Sequence, residues 1–395
     1  MRRLSYLGIS LLQLVLGSVL GLLLLEFILR VNPPLLAGLR GLGAPAPVDA
    51  PLTVAEYDVY YSDGDQIFWR PDLVRPIAPG EDRLEAHVRL ETDEFGFRNT
   101  PPLPSEADLI VLGRSFSLGA QSNSPWPVQL AGMTGWNIVN LSQPGSSPEV
   151  KRDYLVRYGL PRQPHWVVVE VEPPIDAMNY HPSSPWLIQI LPIPVAQEYL
   201  RNFHVTAGFL TGVPIYPLSI DLPGRTYPLT CCIHYLNALT LTREDWQASR
   251  SWRDLTAAVS GMADEANRYS ACTAVLYAPT KPEIYFPLAL DSSQLQPALR
   301  DLIPLRLDEK FELVDDPGRL PDILKMRANA LAARDALAAY ASVHNLVFID
   351  PTELMVKAVL DGEDPFMVYD SHWNALGHAL VAQAVRKALA AAECR

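Results

Sequence analysis

The stretch Asp108-Leu-Ile-Val-Leu-Gly-Arg-Ser-Phe-Ser-Leu-Gly119 decides the class of fold. Its residues 109–112 are uniformly apolar, as in strands that are buried on both faces of a sheet, and Gly113 ends the run. Ser115 then follows at the turn that leads into a helix. A buried strand that continues into a helix in this way predicts one unit of an α/β fold.

The same pattern recurs along the chain. Further apolar, β-branched runs predict strands, and periodic segments between them predict helices. The predicted strands are 136–141, 166–171, 272–278 and 346–349, and the predicted helices are 150–158, 255–269, 320–342 and 374–392. Strands that alternate with helices predict a mostly parallel sheet with helices on both faces.

Composition limits the kinds of partner. The chain has 395 residues, 49% hydrophobic and 19% charged, which is typical of a folded protein. Its net charge of −12 and its lack of Lys/Arg clusters exclude nucleic acid as an expected ligand. The four cysteines are Cys231, Cys232, Cys272 and Cys394. A bridge between the central pair and Cys272 and unpaired thiols both remain open.

The N-terminal residues 1–30 predict a membrane anchor. Arg2 and Arg3 precede a nearly unbroken apolar run over residues 7–25, long enough to span a bilayer. A cleaved signal peptide and a buried core helix are the alternatives. The two arginines favour a cytoplasmic N-terminus, which places the remainder of the chain outside the cytoplasm.

Composition also divides the rest of the chain. Residues 31–104 are rich in Pro, Gly and polar residues and predict a linker with accessory strands. Residues 105–395 form the predicted main domain. Within it, residues of about 180–250 are Pro-rich and aromatic, which predicts an insertion over the carboxyl ends of the strands and a cap that shapes the substrate site.

Two segments carry side chains suited to acyl transfer. Ser115 after the first strand fits a nucleophile, although a plain N-cap serine is common at such a junction. Asp370 and His372, ahead of the last predicted helix, fit a carboxylate that orients a general base. Alternatively, this segment is half of a metal site with His378, or a helix cap.

Four blocks together resemble the SGNH (GDSL-like) hydrolase superfamily, and in particular its membrane-anchored bacterial branch and the SGNH-like domains of alginate O-acetyltransferases. The blocks are Gly113-Arg-Ser-Phe-Ser117, Asn140-Leu-Ser-Gln-Pro-Gly145, Ala278-Pro-Thr-Lys281 with the four residues that follow, and Asp370-Ser-His372-Trp-Asn with Gly377-His378; the segment 92–98 precedes them. The resemblance implies a three-layer α/β/α sandwich of SGNH or flavodoxin-like type.

The resemblance also implies roles for individual residues. Ser115 is the nucleophile, His372 the base and Asp370 its partner, and the backbone N–H groups of Ser115 and Gly145 form the oxyanion hole. Two positions depart from the family pattern. Arg114 stands where the family has Asp, and residues 169–174 lack the Asn that completes the oxyanion hole.

The expected function is therefore ester hydrolysis or O-acetyl transfer on a cell-envelope or exported polysaccharide, at the bacterial inner membrane. The expected partners are the membrane, this substrate and other envelope polysaccharide-assembly proteins, with no cofactor or metal. A lipase or thioesterase of the same fold and a non-catalytic polysaccharide-binding or assembly factor are the alternatives. Candidate substrate-binding residues are Arg114, Glu170, Lys281, Trp373 and Asn374.

Overall fold

The computed structural model describes residues 17, 21, 54–61, 83–144, 146–178, 215–289, 305–307, 313–315, 322–367 and 371–394. The chain divides into two compact units, one of residues 47–181 and 213–395 and one of residues 1–46 and 182–212. Of the second unit the structure describes only Gly17 and Gly21, both helical, so the predicted anchor lies outside the described residues. Within the described residues, no helix combines the length and apolarity that crossing a bilayer requires.

The larger unit is built on a five-stranded sheet in which every neighbouring pair is parallel. The strands of this unit are β1 Val54–Tyr61, β2 Arg83–Glu91, β3 Leu109–Leu112, β4 Ile138–Asn140, β5 Trp166–Val171, β6 Ile215–Leu222, β7 Arg225–Cys232, β8 Cys272–Tyr277, β9 Leu305–Leu307, β10 Leu313–Asp315 and β11 Val347–Ile349. The five-stranded sheet has the order β4-β3-β5-β8-β11. This is the flavodoxin-like order, so the predicted parallel α/β sheet is confirmed.

The helices cover both faces of that sheet. The helices in the described part of this unit are α1 Ser115–Leu118, α2 Trp126–Thr134, α3 Pro148–Tyr154, α4 Pro173–Met178, α5 Ile233–Ala238, α6 Arg243–Ala248, α7 Arg250–Arg268, α8 Lys281–Tyr285, α9 Ile323–Ala328, α10 Ala332–Val343, α11 Thr352–Leu360 and α12 Ala375–Ala391. A π-helical turn, Leu155–Gly159, continues α3, and 3-10 turns lie at Leu160–Arg162 and Phe286–Leu288.

Side chains of β3 alternate between two hydrophobic cores. Leu109 and Val111 belong to the core that includes α2, α11 and α12, whereas Ile110 and Leu112 belong to the core that includes α7 and α10. Because successive side chains of a strand point to opposite faces, these two cores lie on opposite sides of the sheet. The predicted three-layer α/β/α arrangement is confirmed.

The remaining strands form antiparallel pairs. Strands β1 and β2 pair within the segment predicted as linker and accessory strands, and β9 pairs with β10. Strands β6 and β7 form a hairpin that closes at Pro223-Gly224, where Gly224 has a φ of +79°. The hairpin lies in the predicted insertion, of which residues 179–214 are outside the described part of the chain.

One local expectation was wrong. The predicted single helix over 320–342 is two helices, α9 and α10, because the chain turns at residues 329–331. Asn329, a poorer helix former than its neighbours, ends α9, and Arg327 then donates to the carbonyl of Pro287 at 3.1 Å. The disulfide joins Cys272 to Cys394 and not to the central cysteine pair, because Cys394 follows α12 and its Cα lies 5.7 Å from that of Cys272 at the start of β8.

Candidate active site

Ser115 lies on a sharp turn at the carboxyl end of β3. Gly113 follows the strand, Arg114 caps α1, and Ser115 is the first residue of that four-residue helix and is half-buried. Any side chain at Gly113 would collide with its surroundings, since an added Cβ would lie 2.7 Å from both a carboxylate oxygen of Glu170 and the hydroxyl of Ser142. The turn is therefore built for glycine at this position.

Glu170 holds this turn from below. Its fully buried carboxylate accepts the backbone N–H of Arg114 at 2.9 Å with one oxygen and that of Ser117 at 2.7 Å with the other. Burial raises the pKa of Glu170, while Lys151 and the hydrogen bonds act in the opposite direction. The amide of Ser115, which lies between these two, donates to no residue in the described part of the chain. It is thus available to a developing oxyanion.

Arg114 is buried beside the same turn and pairs with two carboxylates. Its guanidinium lies 3.2 Å from Asp176 and 3.9 Å from Glu172, and Lys151 donates to Asp176 at 3.4 Å and to the carbonyl of Glu170 at 2.9 Å. Burial lowers the pKa of Arg114, but the charges of Asp176 and Glu172 outweigh it and raise that pKa above its ordinary value. All five side chains are at most 5% exposed.

Glu172 belongs to the same buried cluster. Burial raises the pKa of Glu172 to about 8, although Arg114 and a hydrogen bond from the hydroxyl of Tyr235 oppose the shift. Removing one partner from a buried, hydrogen-bonded set of charged groups is costly.

The loop that carries His372 is fixed by its neighbours. The backbone N–H of Met367 donates to the carbonyl of His372 at 2.9 Å, and Trp373 forms a β-bridge with Phe366. Asn374 caps α12 by accepting the N–H of Gly377, and its amide donates to the carbonyl of Phe366 at 2.9 Å. These contacts fix the backbone around His372, a residue that is 5% exposed.

The structure brings the serine turn and the histidine loop together. The ring of Phe116, the residue after Ser115, lies 5.0 Å from the ring of His372 and 4.6 Å from that of Trp373. The Ser115 side chain makes no hydrogen bond to another described residue, so the contact between the two segments runs through Phe116. Catalytic hydrogen bonds are often long without substrate and tighten in the complex.

Two residues implied by the resemblance lie outside the described residues. They are Asp370 and Gly145, so the carboxylate of the triad and the second oxyanion donor stay predictions. His378, the alternative metal ligand, is buried against α2, and its Nδ1 accepts the backbone N–H of Trp126 at 3.3 Å. Burial, with Arg98 and His372, lowers the pKa of His378 to about 3, so it is neutral at pH 7.

The structure gives the candidate substrate-binding residues internal contacts. Arg114 and Glu170 belong to the cluster beneath the turn, and Trp373 donates to the carbonyl of Pro279 at 3.3 Å. Lys281 is fully buried at the start of α8, with its ammonium 5.6 Å from the ring centre of Tyr227. The contacts of Glu170 position the serine turn, and that of Trp373 helps to fix the histidine loop.

Several residues of the site carried no motif. Lys151 and Asp176 are buried charged residues of α3 and α4. Asp176 is the one charged residue of its helix, which was an available signal, whereas Lys151 lies among other charged residues and gave none. Arg98, in the segment before the first block, donates to the carbonyls of Leu118, Gly119 and Ser122. It therefore fixes the chain that leaves α1.

No family model matches the chain, and no curated protein matches it. Among solved structures, the chain is similar to an extracellular lipase from Streptomyces rimosus, with 14% identity over 71% of this chain and 98% of that one and a TM-score of 0.37. It is also similar to a catalytic mutant of an acetylxylan esterase from Geobacillus stearothermophilus, with 12% identity over 71% of this chain and 93% of that one and a TM-score of 0.33. A third similar structure is a GDSL-like lipase from Bacteroides thetaiotaomicron, with 9% identity over 71% of this chain and 87% of that one and a TM-score of 0.32.

Proposed function

We propose that this chain is a serine-dependent esterase or O-acetyltransferase, with Ser115 as nucleophile and His372 as general base. The observation that carries the proposal is the contact between the ring of His372 and Phe116, which follows Ser115 directly. This contact lies at the carboxyl end of β3, next to β5, where the order of the sheet reverses. Parallel α/β sheets bind their ligands at such a point.

The proposed reaction proceeds through an acyl-enzyme. The Ser115 oxygen attacks the ester carbonyl carbon while His372 takes the serine proton, and the amides of Ser115 and Gly145 stabilise the oxyanion. The bond to the alcohol then breaks, and the alcohol leaves with the proton from His372. Water completes hydrolysis by attacking the acyl-serine, whereas a sugar hydroxyl in the same place completes transfer. Asp370 orients His372 throughout.

The proposed substrate is an acetylated cell-envelope or exported polysaccharide. The N-terminal apolar segment supports a single-pass anchor in the bacterial inner membrane, and the Cys272–Cys394 disulfide supports an extracytoplasmic domain because such bonds persist in oxidising compartments. The acetyl-transfer branch rests on the sequence resemblance to alginate O-acetyltransferase domains. Envelope polysaccharide-assembly proteins are the proposed partners.

A second candidate function is polysaccharide binding or assembly without turnover. Two observations favour it. The Asn that the family has within the segment at residues 169–174 is missing, and Glu170 of that segment is committed to the serine turn. In addition, the Ser115 side chain has no hydrogen bond to His372. Losing one oxyanion donor typically lowers the rate by about 10²–10³-fold. A protein that only binds the polysaccharide would show no hydrolysis above background.

The test is hydrolysis of an activated acetyl ester by the full chain in detergent. We expect Ser115→Ala and His372→Ala each to lower kcat by about 10³-fold or more, because either change removes the nucleophile or its base. Ser105→Ala and His344→Ala, at exposed positions, are matched controls. Equal rates in all five proteins would refute the enzymatic proposal and favour the binding role.

A further inference from the structure

Gln121 contacts the ring nitrogen of His372 that a triad carboxylate would use. Its terminal amide lies 3.3 Å from Nδ1 of His372, and Gln121 itself is half-buried. The two residues are 251 positions apart, so the fold creates this contact. A side-chain amide at Nδ1 is able to decide which of the two ring nitrogens carries the hydrogen.

The backbone around Gln121 is held firmly. Arg98 donates to the carbonyls of Leu118 and Gly119 before it and to that of Ser122 directly after it, the last at 2.6 Å. Arg98 is 7% exposed. One guanidinium therefore fixes both sides of the residue, which keeps the Gln121 side chain at His372 at a small cost in conformational entropy.

The chemistry of a general base requires one tautomer. To take the proton of Ser115, His372 must present a lone pair on Nε2, so its hydrogen must be on Nδ1. An amide holds that tautomer only by accepting this hydrogen with its oxygen. Turning the Gln121 amide by 180° exchanges its nitrogen and oxygen, which places Oε1 at the 3.3 Å position.

We propose that Gln121 is a positioning residue that accepts the Nδ1 hydrogen of His372 and so keeps Nε2 free to act as base. The inference rests on the proposed function of His372. It deepens that proposal by adding a neutral hydrogen-bond acceptor to the triad. This acceptor, Gln121, lies just after the helix that begins at Ser115, and Arg98 holds the backbone on either side of it. Asp370, two residues before His372, stays the carboxylate that the resemblance implies for the triad.

The test compares Gln121→Ala with Gln121→Glu in the full chain. Alanine removes the acceptor, while glutamate is of similar size and can only accept. Histidine-selective ¹⁵N labelling reports the tautomer of His372, whose signals are assigned by their loss in His372→Gln. Asp370, His378 and Arg98, the other charged or titratable residues considered near His372, are unchanged in the variants at residue 121, so a difference in the tautomer comes from that residue. Gln129→Ala, which removes an amide that donates to the carbonyl of Ser124, is the matched control.

We expect the wild type, Gln129→Ala and Gln121→Glu to show the Nδ1–H tautomer, and Gln121→Ala to show a mixture. Gln121→Ala should also lower kcat by about 10–10²-fold with little change in KM, less than the ~10⁴-fold loss seen when the carboxylate of a triad is replaced by an amide. An unchanged tautomer and kcat in Gln121→Ala would overturn the inference and leave the proposed function standing. If the wild type hydrolyses no ester, the proposed function fails, and the ¹⁵N spectra alone still decide whether Gln121 sets the tautomer.

Discussion

The role of Glu170 beneath the serine turn can be tested by changing one atom. In Glu170→Gln the side chain keeps its shape, but only one of its two terminal atoms can still accept a hydrogen bond. In the wild type, the carboxylate of Glu170 accepts two backbone N–H groups, from Arg114 at 2.9 Å and from Ser117 at 2.7 Å. In the variant, one of these buried amides must face an NH₂ group.

The expected cost follows from that count. A hydrogen bond to a charged acceptor contributes about 1.5–3 kcal/mol, and a buried donor left without a partner adds to the loss. We therefore expect Glu170→Gln to lower the free energy of unfolding by about 2–4 kcal/mol at pH 7. Because the two amides flank Ser115, kcat should fall more than KM rises.

Urea unfolding of the full chain, followed by tryptophan fluorescence, measures the first effect, and ester hydrolysis measures the second. Glu244→Gln, an exposed position in the first turn of α6, is the matched control. A Glu170→Gln midpoint that coincides with the Glu244→Gln midpoint would show that the turn does not depend on this carboxylate.

Three further predictions concern stability. Cys272→Ser should lower the free energy of unfolding by about 2–5 kcal/mol in urea titrations, since the bridge closes a loop with a sequence separation of 122; a loss that reduction of the wild type does not reproduce would contradict this. The pKa of Glu172 is about 8 in the folded protein against 4.5 in the unfolded chain, so its contribution to the free energy of unfolding is full below pH 4.5 and is lost as the pH rises to about 8. Glu172→Gln should therefore flatten the decline in stability over this pH range. The pKa of His378 is about 3 in the folded protein against 6.5 in the unfolded chain, so its contribution to stability is full above pH 6.5 and is lost as the pH falls towards 3. His378→Gln should therefore make the protein less sensitive to acid. A pH profile of stability that is unchanged in Glu172→Gln or in His378→Gln would refute the pKa shift given for that residue.

The sheet could be predicted because its strands are marked locally. The apolar run before Gly113 and the run over 166–171 are uniform enough to be recognised without any partner. The helix over 320–342 was mispredicted because Asn329 carries a weak signal and its turn depends on what α9 meets, the carbonyl of Pro287. Helix existence is local, whereas a break is set by tertiary contacts.

The site divides in the same way. Ser115 and His372 follow strong motifs, and the structure places Phe116, the residue after Ser115, against the ring of His372. The partners that hold them, such as Lys151, Asp176 and Gln121, come from distant parts of the chain and meet only when the sheet is assembled. The pairing of Cys272 with Cys394 is likewise decided by the path of α12 and not by spacing.

The most direct measurement of the central claim is mass spectrometry of the full chain after reaction with an activated acetyl ester. The account predicts one added acetyl group on the peptide that contains Ser115, formed much more slowly in His372→Ala and absent in Ser115→Ala. Labelling of Ser115 at the same rate with and without His372, or a wild type that shows neither labelling of Ser115 nor ester hydrolysis, would contradict it.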